Sequence, residues 1–149
     1  MTEPTGKTKH AELSLEQIAE LQPGLAELMP AVGDRYWISY YAARGGNWAF
    51  ARYQLRHLVK LFHKGSLTRP KHEATLTEYE RTSIGPLFVA IQARDFAAFE
   101  AAYQRGIEVA NQLHRDLGHP DIVWRLPARP PEQFELGPQP EVEPKQRDR

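Results

Sequence analysis

Apolar residues recur along this chain at the spacing of helices, not of strands. Between Asn47 and Lys64, Trp48, Ala51, Leu55, Leu58, Val59 and Phe62 fall on one helical face. Phe96, Phe99, Tyr103, Ile107 and Ala110 form a second such stripe, and Asp95 stands where an N-cap belongs. Ser14 followed by Gln17 reads as a capping box opening a short helix that ends near Gln22. A longer helix is predicted from about Pro23 to Ala43, with Pro30 as the place for a kink, before the turn "RGGN". Thr75 and Glu78 repeat the capping-box signal for a helix over about Leu76 to Arg94, which must bend at Gly85-Pro86. No segment alternates convincingly with period two. Four apolar faces on short connections are buried together most simply in an antiparallel four-helix bundle, so the chain is read as all-α.

The predicted organisation is a flexible N-terminal tail over 1–13, the bundle over 14–126 and a Pro-rich tail over 127–149. That last segment holds half of the chain's twelve prolines among charged residues. The tail beyond about Pro131 is expected to be dispensable. "DIVWRLP" is not, because Ile122, Val123 and Trp124 are expected to dock back across the bundle.

Composition narrows the chemistry. Lys plus Arg and Asp plus Glu both number 19, so no global field recruits nucleic acid or an acidic membrane. Nucleic acid is accordingly not an expected partner. The absence of cysteine excludes disulfides, zinc-thiolate sites, iron–sulfur clusters, a thiol nucleophile and thioether-linked haem. Neither a signal-peptide pattern nor a membrane-length apolar run is present in the sequence, and a cytoplasmic location is the expectation. No P-loop, G-x-G-x-x-G, G-x-S-x-G, H-E-x-x-H or Glu-x-x-His pattern occurs, so a non-enzymatic role is expected. A paired-carboxylate site, or a Tyr/His acid–base pair in an aromatic pocket, stays open. His57 and His63 are six apart and His114 and His119 five apart, so neither pair can chelate one metal on a straight helix, and no metal site is assigned.

Three stretches could carry function. In "VANQLHRDLGHP", His114 falls in line with Phe96, Tyr103 and Ile107 and so points toward the bundle seam. It is either a core-edge histidine satisfied by a carbonyl or an axial ligand held between helices. In "DRYWISYYAARGGNW", Tyr36 with Tyr40 and Trp37 with Tyr41 are i,i+4 pairs on adjacent faces, more aromatic surface than one core face needs. Phe50, Tyr53, His57 and Leu61 make a second semi-apolar stripe on the next helix, and the two together suggest a homodimer. From Arg44 to His72 there are seven Lys or Arg residues and no acid, with Arg52, Arg56, Lys60 and Lys64 repeating every four. These either form a solvated face paired with Glu16, Glu20, Glu27 and Asp34, or an anion site at Arg52, Arg56 and Lys60 for an acidic protein or small anionic ligand.

The pieces "LAELM", "NWAFARYQL", "DFAAFEAAY", "ANQLH" and "GHPDIVWRLPARPP" resemble, over about residues 15–131, a proteobacterial family of small c-type-cytochrome-like four-helix bundles. The resemblance implies a cytochrome c′-like fold and a haem pocket. Ala110 and Leu113 stand where that family has its C-x-x-C cysteines, His114 keeps the ligand position, and Tyr36 replaces a first-helix histidine. The chain thus resembles a cysteine-free branch with no covalent cofactor. What the family implies for a non-covalent haem b is His114 as axial ligand and a slot lined by Met29, Tyr36, Trp48, Tyr103 and Ile107. Leu113 adds bulk at the porphyrin edge, so the slot is expected to be closed.

Overall fold

A computed structural model describes residues 2–140. The chain is mostly helical: α1 (Leu15–Glu20), α2 (Leu25–Gly45), α3 (Trp48–Thr68), α4 (Glu73–Tyr79), α5 (Gly85–Ala93) and α6 (Phe96–Asp116). α4 and α5 are two halves of one bent helix joined by a π-helical stretch, Glu80–Ile84. Proline has no N–H, and its ring collides with the carbonyl four residues back. The chain widens one turn ahead of Pro86, where the Gly85 N–H bonds to the Glu80 carbonyl five residues back. The bend expected at Gly85-Pro86 therefore takes this form. α2 instead runs unbroken through Pro30.

Counting α4–α5 as one, four helices pack in a ring: α2 against α3, α3 against α4 and α5, α5 against α6, and α6 against α2. Links of two residues force antiparallel neighbours. Gly46 adopts a left-handed conformation (φ 89°) to end α2, and the Asn47 side chain caps α3 by accepting from the Phe50 N–H. Arg94 (φ 52°) and Asp95 do the same between α5 and α6, with Asp95 accepting from the Ala98 N–H. Ser14 and Gln17 form the reciprocal capping box of α1. Thr75 caps nothing: a 3₁₀ turn, Pro70–His72, starts α4 at Glu73.

The predicted stripes face the core. Ala51, Leu55, Leu58 and Phe62 from α3, Phe99 and Tyr103 from α6, and Ile84, Leu87 and Ile91 are buried together, with Trp48 and Val59 at the margin.

Both terminal segments differ from the tails expected. Thr5–Lys7 (β1) and Glu12–Ser14 (β2) pair as an antiparallel hairpin, and Ile18 of α1 packs close over Gly6. Strands of three residues, none of them buried, leave no period-two signal. Residues 121–140 have no regular structure but lie along α2, α3 and α6. Trp124 lies tilted against Tyr36 with ring centroids 5.4 Å apart, Leu126 and Leu136 pack on the core, and Pro131 is buried. Ile122 and Val123, expected to dock beside Trp124, are exposed. The rest of the expected tail, 141–149, lies outside the described residues.

Candidate functional site

The space between α2 and α6 is filled by tyrosines. Tyr36 and Tyr103 stack with ring centroids 3.9 Å apart and planes 8° from parallel. Each hydroxyl donates to the other residue's backbone carbonyl, both at 2.8 Å. Tyr79 crosses from α4 and donates to the Gly106 carbonyl at 2.9 Å. Burial pushes the Tyr79 phenol up to about 12, and burial with neighbouring phenols raises Tyr36 and Tyr103 further. A close-packed stack bonded at both ends holds its phenols neutral.

Of the residues expected to line a haem slot, Tyr36 and Tyr103 occupy that space themselves. Met29, Trp48 and Ile107 are half-buried at its edges, Trp48 lying edge-on to Phe99 at 6.5 Å. His114 sits in the last turn of α6, half-buried, and Leu113 beside it packs on the core. The His114 Nδ1–H donates to the Ile122 carbonyl at 3.1 Å, which fixes the tautomer and ties the following segment to the helix. One turn earlier, Asn111 does the same by two bonds: its Nδ2 donates to the Trp124 carbonyl at 2.9 Å and its Oδ1 accepts from the Trp124 N–H at 2.8 Å. "ANQLH" is thus a clamp for the segment carrying Trp124. The side chain that makes it bidentate is Asn111, whose role only the folded chain exposes.

The aromatic arc that suggested a homodimer is covered by the chain's own C-terminal segment. Trp37 Nε1–H donates to the Arg129 carbonyl at 3.0 Å, and the Tyr41 hydroxyl to those of Pro127 and Ala128 at 2.8 and 3.0 Å. Tyr40 turns the other way and donates to a Glu100 carboxylate oxygen at 2.6 Å. Tyr36, Tyr40 and Tyr41 are all buried, and Trp37 is half-buried.

The outer face of α3 is among the surfaces open to solvent. Ala49, Arg52, Tyr53, Arg56, His57 and Lys60, at helical spacing, surround a half-open hollow of about 320 Å³. The acids expected to pair with this face do not reach it: among the described residues Arg52, Arg56 and Lys60 form no ion pair. Arg35 of α2 stands behind them, its guanidinium donating to the side-chain Oε1 of the buried Gln54 at 2.9 Å. Desolvation and the Lys60, Arg35 and Arg56 charges hold His57 below the usual imidazole range, so at neutral pH its ring is uncharged.

An aromatic row runs into the same hollow. Phe134 lies 5.1 Å from Phe50, Phe50 lies 6.3 Å from Tyr53, and Tyr53 lies 4.4 Å from His57. Tyr53 is half exposed, at 52%. The four-residue repeat of cations was visible in sequence, but Tyr53 and His57 read there as part of a dimer stripe. Their place beside the cations follows from which side of α3 the core claims.

No three His, Asp or Glu side chains converge among the described residues, and no described helix is long and apolar enough to cross a membrane. The chain matches no protein-family model, no curated protein and no solved structure.

Proposed function

We propose that this chain is a non-enzymatic helical module whose α3 face captures a small anionic ligand. The observation that carries the reading is the row Arg52, Arg56 and Lys60 around one hollow, with no carboxylate partner to neutralise it among the described residues. Three converging cations attract an anion, and each exposed contact contributes on the order of 0.2–1 kcal/mol, so binding is weak and sensitive to salt. In this reading the bundle is a cysteine-free relative of the c-type-cytochrome-like proteins it resembles. The Tyr36–Tyr103 pair takes up the volume a haem would need, and binding has moved to the surface.

The test is an amide-resonance titration of the full chain with ribose 5-phosphate at low ionic strength. Saturable shifts confined to residues 49–60, reversed by salt and weakened at least about tenfold by the double variant Arg56→Glu/Lys60→Glu, are expected. No saturable shift up to ~10 mM, or shifts mapping elsewhere, would overturn the reading.

A further inference from the structure

The hollow holds more than charge. Arg52, Arg56 and Lys60 line it together with a half-exposed phenol ring and a neutral imidazole, the two ring centroids 4.4 Å apart. The Tyr53 ring is backed by Phe50, which is itself backed by Phe134. Since Phe50 packs on the core, the row anchors an exposed ring to the rigid part of the fold. An inorganic anion would use only the rim. A planar ring carried on a phosphate would use both, stacking on Tyr53 while its phosphate lies among the cations one helical turn along.

We propose that the α3 face is a nucleotide site, the base stacking on Tyr53 and the phosphate lying against Arg52, Arg56 and Lys60. This rests on the anion-capture reading above and adds the aromatic half of the ligand. The volume agrees: about 320 Å³ sits at the lower end of the range for small-molecule sites. So does the charge pattern, because residues 44–72 contain no Asp or Glu to repel a phosphate. The same chemistry is offered by a free nucleotide or by one nucleotide of a single strand. Stacking on Tyr53 carries the recognition, so little preference among bases is expected.

Three ligands separate the possibilities, each titrated into the full isotopically labelled chain: ribose 5-phosphate, adenosine 5′-monophosphate and a short oligoadenylate. The mononucleotide is expected to bind at least roughly tenfold more tightly than ribose 5-phosphate, the worth of one base stacked on an aromatic ring. Tyr53→Ala should erase that difference, and Tyr53→Phe should restore it. Tyr53 is surface-exposed, and unchanged circular dichroism would verify that both variants fold. Equal affinities for the two monophosphates, or a Tyr53→Ala variant that loses both alike, would overturn the nucleotide inference and leave anion capture standing. Failure of all three ligands to bind would overturn both. Tighter binding of the oligoadenylate than of the monomer at equal nucleotide concentration assigns the site to single strands, and equal binding assigns it to the free nucleotide.

Discussion

Gly106 is the point where the tyrosine stack meets α6, and adding one methyl group there tests the packing directly. A β-carbon on Gly106 would lie 2.5 Å from the Tyr36 hydroxyl oxygen, 3.6 Å from the ring carbon bearing it and 3.4 Å from the Tyr79 hydroxyl. The first distance is far inside van der Waals contact. Tyr36 cannot swing clear, because Tyr103 stacks on one face and Trp124 lies tilted against the ring. The hydroxyl must then leave the Tyr103 carbonyl, its buried acceptor. Overpacking costs about 1–3 kcal/mol and an orphaned buried donor about 1–3 more, while alanine in place of glycine inside a helix returns about 1. Gly106→Ala is therefore expected to destabilise the fold by about 2–3 kcal/mol, a fall in Tm on the order of 8 °C for a chain of this size.

Tyr36→Phe supplies the control, since it removes the atom that clashes and leaves the remaining contacts at ordinary distances. Alone it should cost about 1 kcal/mol for the lost hydrogen bond. In that background Gly106→Ala should be neutral or stabilising, giving a coupling of at least about 2 kcal/mol in a urea-denaturation cycle. A Gly106→Ala variant as stable as the parent, or the same cost in both backgrounds, would refute the packing argument.

Other expectations follow from the same geometry. Ending the chain at Pro131 should lower the urea midpoint by the equivalent of about 1–3 kcal/mol, because it removes Phe134 from Phe50 and leaves Asn47 Nδ2 without the Glu135 carbonyl; an unchanged midpoint would mean that this packing contributes nothing. Alkaline pH should unfold the bundle. Burial, aided by the bond to Glu100, pushes the Tyr40 phenol up to about 12, and burial does the same for Tyr79. A phenol whose pKa is raised in the fold stabilises it below the unfolded value near 10, and that contribution is lost as pH climbs from there through about 12. Phenolate absorbance should rise together with loss of helical circular dichroism, whereas ionisation of these phenols with the helices intact would contradict the burial argument. A haemin titration should give no saturating Soret shift in the parent chain; a shift saturating near one equivalent and absent in His114→Ala would show that the tyrosine stack opens to admit the macrocycle.

The bundle was legible because each apolar stripe is long enough for its period to stand out from local composition: Ala51, Leu55, Leu58 and Phe62 are a repeat before they are a core. Thr75 and Glu78 carry a capping signal as good as that of Ser14 and Gln17, yet only the second pair is used. A capping box is local, and Pro70 had already nucleated a turn three residues upstream of Glu73. The surplus aromatic surface on α2 was visible too, and its need for cover was real. What periodicity could not supply was the identity of the cover, because the C-terminal segment has no period of its own. Proline cannot donate, so a proline-rich stretch enters no ladder, but its carbonyls remain free acceptors. Trp37, Tyr41 and Asn47 are donors set along one side of the bundle, and the carbonyls of Arg129, Pro127, Ala128 and Glu135 meet them. The C-terminal segment, a tail from Pro127 onward by composition, thus lies over the aromatic face of α2. Net charge concealed the cationic face of α3: equal totals of acid and base say nothing of where each lies, and among the described residues the acids expected to neutralise Arg52, Arg56 and Lys60 form no ion pair with them.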